Sequence, residues 1–190
     1  AKDFREEFIF WERKQRGLEK ADTVFEYREE PEGFADFWEE GDFVKCKEFC
    51  IEKLKELAGK RKQEKTKLIY SVNLARCCYN LKEYQKALEY IMQVLDVIKF
   101  IYGETHASIA YLFSHFGEIY QDLGEYQKAL ESHMRAFDIR RSIYGEEHRQ
   151  MTLSYDDLGS VCRDLGGFQK SLEYYTKAWE IMKSIYGEMH

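Results

Sequence analysis

The heptapeptide Glu-Tyr-Gln-Lys-Ala-Leu-Glu occurs unchanged at residues 83–89 and 125–131, and it returns as Gly-Phe-Gln-Lys-Ser-Leu-Glu at 167–173. The aromatic residue of this segment therefore recurs every 42 residues. A second motif, Tyr-Gly-x-x-His, keeps the same interval and begins at Tyr102, Tyr144 and Tyr186. Because two independent motifs share one period, the sequence predicts an internal structural repeat.

Every repeat is predicted to form two amphipathic helices. Between residues 105 and 146, apolar side chains follow helical spacing from Tyr111 to Leu123 and again from Tyr126 to Ile143, with His133 on the same stripe. Glycine ends both helices, and Arg140 and Arg141 suit the end of the second one, where the helix dipole favours cations. One helical hairpin cannot bury both of its faces, so the next hairpin must supply the rest of the core.

The small residues and aromatics of these helices resemble the tetratricopeptide repeat. The pattern aliphatic-Gly/Ala-x-x-Tyr/Cys, followed by Tyr/Phe-x-x-Ala/Ser, begins at Leu74, Phe116 and Leu158. The period is longer than the usual ~34 residues. Together with the Tyr-Gly-x-x-His connection, it looks like the long-helix subtype of kinesin light chains and nephrocystin-type proteins. The resemblance implies an all-α fold, a right-handed superhelical stack of antiparallel helix pairs whose concave face holds a peptide.

The chain divides into five predicted segments. Residues 1–27 are expected to form a capping helix, 28–66 a divergent first helix pair with a basic connection, and 67–104, 105–146 and 147–190 three full units. Terminal repeats need caps, which favours capping for the first segment. The alternatives are a helix that lies in the groove as an intramolecular ligand, or a disordered or partner-swapped tail. The uncovered apolar stripe of the last helix predicts that further repeats or another domain follow residue 190.

Composition excludes several classes of partner and compartment. The net charge of −6 disfavours a general nucleic-acid or anionic-membrane binder, and no apolar stretch approaches the ~20 residues that span a bilayer. The five cysteines are odd in number and form no CxxC pair, which predicts a reducing, cytoplasmic location. Four of them are expected to be small buried side chains, whereas Cys77 is less constrained. These four are Cys46, Cys50, Cys78 and Cys162.

No pattern in the sequence predicts catalysis, a cofactor or a metal. His106, His148 and His190 recur with the period, but equivalent residues of stacked hairpins are separated by on the order of 10 Å, too far to share one ion. These histidines are expected to cap the helix that follows each Tyr-Gly turn. The chain has no phosphate-binding glycine loop, no HExxH motif and no dinucleotide fingerprint.

The predicted binding surface is the face that the first helix of each unit turns toward the inside of the superhelix. Acidic residues predominate in its C-terminal half, which disfavours both a ligand with a terminal carboxylate and the tryptophan-acidic peptides that kinesin light chains bind. A neutral or basic peptide is expected instead. The predicted groove residues are Val72, Asn73, Arg76, Asn80, Tyr111, Ser114, His115, Glu118, Asp122, Leu153, Asp156, Asp157, Ser160 and Asp164.

The sequence therefore predicts a non-enzymatic adaptor or scaffold that binds another protein through this groove. Two alternatives remain open. The repeats could form a structural spacer or oligomerisation element, in which case the chain would self-associate. They could also be the accessory region of a larger signalling protein or enzyme.

Overall fold

A computed structural model of the chain describes residues 34–59 and 64–187. These ranges contain α-helices and no strand, which confirms the predicted all-α fold. The predicted capping segment 1–27 and His190 lie outside the described residues.

The described residues form four antiparallel helix pairs joined by short turns. The first helix of each pair is called the leading helix below, and the other is called the second helix. The pairs are α1 (Phe34–Glu39) with α2 (Phe43–Glu56), α3 (Glu64–Asn80) with α4 (Tyr84–Tyr102), α5 (Ala107–Asp122) with α6 (Tyr126–Tyr144), and α7 (Gln150–Asp164) with α8 (Phe168–Tyr186).

The Tyr-Gly-x-x-His connections cap the leading helices, as predicted. The ring of Tyr102 stacks on His106, with ring centroids 4.5 Å apart, and Nδ1 of His106 accepts a hydrogen bond from the backbone N–H of Ser108. Tyr144 and His148 repeat this stack at 4.7 Å, and Nδ1 of His148 accepts from the backbone of Gln150. Each histidine thus satisfies one of the backbone donors left open at a helix start.

In the last two pairs, a glycine of the leading helix lies directly against a ring of the second helix. A Cβ atom at Gly117 would lie 2.2 Å from the ring of His133, and one at Gly159 would lie 2.8 Å from the ring of Tyr175. His133 and Tyr175 are equivalent positions of successive second helices. The glycines therefore make room for the ring of the second helix, which explains why a small residue recurs at this point of the motif.

All five cysteines are buried free thiols. Burial raises the pKa of Cys46 to about 12 and that of Cys78 to about 11, so both stay protonated at neutral pH. Cys77, predicted to be the least constrained of the five, is fully buried as well, in contact with Cys46 and Cys50. Cys77 directly precedes Cys78 in α3, and it lies on the side of this helix that α2 covers.

The apolar core falls into two parts. The larger part runs from α1 to α6, and a smaller part around Met151, Tyr155 and Ile181 joins α7 to α8. The far side of α8 leaves Phe168 70% and Trp179 60% exposed. Phe168 therefore does not pack as Tyr84 and Tyr126 do at the equivalent positions, because no described helix covers this side of α8.

The turn between α3 and α4 contains a strained residue. Lys82 has φ of 61°, and it is the single non-glycine residue with positive φ among the described residues. The equivalent positions in the next two turns are Gly124 and Gly166. A side chain in this left-handed conformation costs ~1–2 kcal/mol because its Cβ crowds the following carbonyl.

Replacing Lys82 by glycine should therefore raise the free energy of unfolding by about 1 kcal/mol, since relief of the strain exceeds the added freedom of the unfolded chain. Lys82→Ala is the matched control, because it removes the same charge but keeps the Cβ atom. Urea unfolding measures both variants. Equal stabilities of the alanine and glycine variants would show that the turn carries no such strain.

Candidate peptide-binding groove

The leading helices line one surface of the stack. α5 contacts α7 directly: the Ser114 hydroxyl donates to Asp157 at 2.9 Å, and the Gln121 amide donates to Asp164 at 2.7 Å. The second helices make their contacts mainly with the leading helices on either side of them. α5 and α7 thus meet on this side of the stack, and the surface that the leading helices form there is called the groove below.

Three of the predicted groove residues lie beneath this surface. Val72, Asn73 and Ser114 are buried, and Asn73 is only 3% exposed. The Asn73 amide donates to the carbonyl of Ile69 in the same helix at 3.0 Å, and its oxygen accepts from Arg76 at 3.3 Å. Asn73 was predicted to line the groove. Its hydrogen bonds are instead made within α3, so it shapes the groove from below.

The N-terminal end of the groove carries a fixed cation and an amide. The Arg76 guanidinium lies over the ring of Trp38 in α1, 4.2 Å from its centroid, which holds the cation at the junction of the first two helix pairs. Asn80 is exposed at the end of α3 and donates to the Arg76 carbonyl at 2.9 Å. One repeat further along the stack, at the end of α5, Asp122 accepts a hydrogen bond from the Tyr84 hydroxyl at 3.1 Å.

A histidine–carboxylate pair occupies the middle of the groove. Nδ1 of His115 lies 2.7 Å from a carboxylate oxygen of Glu118, and the His115 ring contacts Tyr111 edge-on at 4.3 Å. Burial disfavours the charged imidazole, but the Tyr111 oxygen and the Glu118 carboxylate outweigh it and hold the pKa of His115 above its ordinary value. His115 is therefore a cation at neutral pH, and Glu118 is its counter-ion.

The C-terminal end of the groove is acidic. Asp156 is exposed, and partial desolvation together with the adjacent Asp157 raises its pKa to about 6. Asp157 is 22% exposed, with the Arg140 guanidinium 3.8 Å away. Asp164 and Ser160 both accept hydrogen bonds from the Gln121 amide. Leu153 is partly exposed at the start of the same face.

Sequence analysis missed a buried polar layer below this acidic end. Arg140, which lies near the end of α6 as predicted, is buried and donates to Ser154 at 2.7 Å and to Ser114 at 3.0 Å. His133 is fully buried beside it, 3.6 Å from Asp157. A comparison of equivalent positions in successive repeats could have found this layer, because the positions of His133 and Arg140 are occupied by isoleucines one repeat earlier.

The described part of the chain contains no group of three or more histidine, cysteine, aspartate or glutamate side chains arranged to hold a metal ion. Nor does any helix between residues 34 and 187 have the length and apolar character needed to cross a membrane.

The sequence matches the family model of the tetratricopeptide repeat over residues 67–131 and 108–184. The chain belongs to the tetratricopeptide repeat family. Among solved structures, this tetratricopeptide repeat chain is similar to BtubC (BKLC) from P. vanneervenii, with 22% identity, a TM-score of 0.74 and alignment over 83% of this chain and 63% of BtubC. It is also similar to a putative kinesin light chain from Podosopora anserina with nearly identical TPR-like repeats, with 18% identity, a TM-score of 0.69 and coverage of 96% and 86%.

Both likenesses concern the fold, because the identities are low. The chain spans less than two thirds of the length of BtubC. No curated protein matches the sequence. Tetratricopeptide repeats are in general protein–protein interaction modules.

The raised pKa of His115 makes a direct prediction. Its NMR titration should have a midpoint above 6.5, and Glu118→Gln should lower that midpoint because it removes the counter-ion. Protonated His115 stabilises the fold at pH values below 6.5, and this contribution is lost as the pH rises through the folded-state pKa. A wild-type midpoint at or below 6.5, or one that Glu118→Gln leaves in place, would contradict the ion pair.

Proposed function

We propose that this tetratricopeptide repeat chain is a non-enzymatic adaptor or scaffold module that holds a neutral or basic peptide segment in the groove. The observation that carries the proposal is the charge of the C-terminal half of this surface. Glu118, Asp156 and Asp157 all have exposed area there, while their cationic partners His115 and Arg140 are more deeply placed. The surface that a ligand would contact therefore exposes more carboxylate groups than cationic groups.

The two ends of the groove differ in what they offer a ligand. The C-terminal end presents carboxylates that attract lysine and arginine side chains and repel acidic ones. The N-terminal end presents the fixed guanidinium of Arg76 and the amide of Asn80, which can donate hydrogen bonds to ligand carbonyl groups. This gradient favours a peptide whose basic residues lie against α7 and whose backbone or acidic residues lie against α3.

The buried free thiols support a reducing compartment such as the cytoplasm as the place where the module acts. Five cysteines without a disulfide, two of them with pKa values raised to about 11 and 12 by burial, are thiols that a reducing environment preserves.

Selection from a random library of short displayed peptides tests this function across ligands of any sequence. Peptides retained by the wild-type chain should be enriched in lysine and arginine. Asp156→Lys should weaken their binding by roughly tenfold, because the change removes one attraction and adds one repulsion. Fluorescence anisotropy of synthesised peptides measures the loss.

Glu131→Lys is the matched control, because it makes the same charge change on the exposed side of α6, outside the groove. It should leave the affinity nearly unchanged. Selected peptides with a net negative charge, or an equal loss in both variants, would contradict the proposed role of the groove.

A further inference from the structure

One side of α8 exposes a row of large apolar side chains, called the α8 seam below. The seam consists of Phe168, Leu172, Trp179 and Met182, of which the first three are at least 60% exposed. With the half-buried Tyr175 included, successive members are separated by four, three, four and three residues. This is the spacing of a helix that packs lengthwise against another helix, and it makes the seam about 21 Å long.

In the two preceding repeats, the next leading helix covers the equivalent row of side chains. Phe137 in α6 contacts the ring of Tyr155 in α7, with ring centroids 5.4 Å apart. Tyr84 in α4 donates its hydroxyl hydrogen to Asp122 in α5. All the equivalent side chains in α4 and α6 are buried or partly buried. This side of a second helix is therefore a surface that packs against a helix, and the α8 seam continues it at the end of the stack.

The area of the seam matches the need of a weak dimer contact. Its side chains expose on the order of 500 Å² per chain, which is large for a patch on a monomeric protein. Two such patches in contact bury about 1,000 Å² in total, the lower limit for a specific interface. Association of two copies through the seam is therefore expected in the micromolar range.

The order of side chains along the seam is complementary to its own reverse. In an antiparallel pair of α8 helices, Phe168 of one copy lies opposite Met182 of the other, and Leu172 lies opposite Trp179. Each aromatic ring then meets a flexible aliphatic side chain, and methionine packs well against rings. A parallel pair would instead bring together the two copies of Lys183, whose ammonium lies 5.0 Å from the Trp179 ring, and like charges disfavour that contact.

We propose that the α8 seam is a self-association surface, on which α8 of a second copy packs antiparallel to form a two-fold symmetric dimer. The same surface is used on both copies, so the dimer occupies both seams and closes. None of the seam residues belongs to the predicted groove. The proposal is therefore independent of the proposed function.

Sedimentation equilibrium of the 190-residue chain, from low to high micromolar concentrations, tests the dimer. The mean mass should rise from that of one chain toward that of two and then stop. The mass of one chain at every concentration would overturn the proposal and leave the seam to a different helix, such as one from a further repeat. Growth beyond two chains would also overturn it, because a closed dimer has no free seam.

Charged substitutions test whether the seam is the surface involved. Leu172→Glu and Trp179→Lys should each raise the dimer dissociation constant at least about tenfold, because each buries a charge in an apolar contact. Both side chains are exposed, so the melting temperature should change little. Phe100→Ser is the matched control, since Phe100 is 90% exposed on α4 and serine occupies the equivalent positions in α6 and α8. Equal weakening by Phe100→Ser would contradict the role of the seam.

A mixture of the two variants tests the antiparallel register. In a mixed dimer of Leu172→Glu and Trp179→Lys chains, the introduced carboxylate lies opposite the introduced ammonium, and the second Leu172–Trp179 contact is unchanged. The mixture should therefore associate more tightly than either variant alone. A mixture that associates no more tightly than its components would overturn the antiparallel contact. These measurements use no peptide ligand, so their failure is distinguishable from failure of the groove.

Discussion

The close approach of α5 to α6 and of α7 to α8 is the constraint on which the rest of the structure depends. A glycine in the leading helix admits a ring from the second helix, His133 against Gly117 and Tyr175 against Gly159. Two helices packed this closely form a single thin layer, which cannot bury the apolar side chains on both of its faces by itself. The neighbouring pairs must supply that cover. Their stacking brings α5 and α7 side by side, and the exposed side chains of these leading helices become the groove.

The repeats share one backbone arrangement, but the side chains at the contacts between successive helix pairs differ. An isoleucine contact needs no partner, whereas a buried guanidinium is costly unless its donors are satisfied. Arg140 meets this requirement through Ser154, Ser114 and the nearby carboxylate of Asp157. The same carboxylate reaches the groove. Asp157 therefore contributes both to the charge of the proposed binding surface and to the α6–α7 contact, and a change of this residue affects both.

The sequence predicted the repeat, the helix pairs and the histidine caps, because periodic positions constrain backbone and packing directly. It could not predict which polar atoms remain available to a ligand. Asn73 and Asp157 occupy equivalent positions, yet the amide of Asn73 turns back to its own helix, whereas Asp157 reaches both Ser114 and solvent. Such choices depend on neighbours from other helices. The burial of Arg140 could not be predicted for the same reason, since the helix dipole explains a cation at a helix end equally well whether it is buried or exposed.

The central claim is that the inner surface of the leading helices, with its acidic C-terminal half, is where a partner binds. Amide chemical shifts in ¹H–¹⁵N spectra, recorded while a selected basic peptide is added, test it most directly. We expect the largest changes on α5 and α7, at and around Glu118, Asp156 and Ser160, with smaller ones on α3. Changes concentrated on the outer sides of α4, α6 and α8 would contradict it.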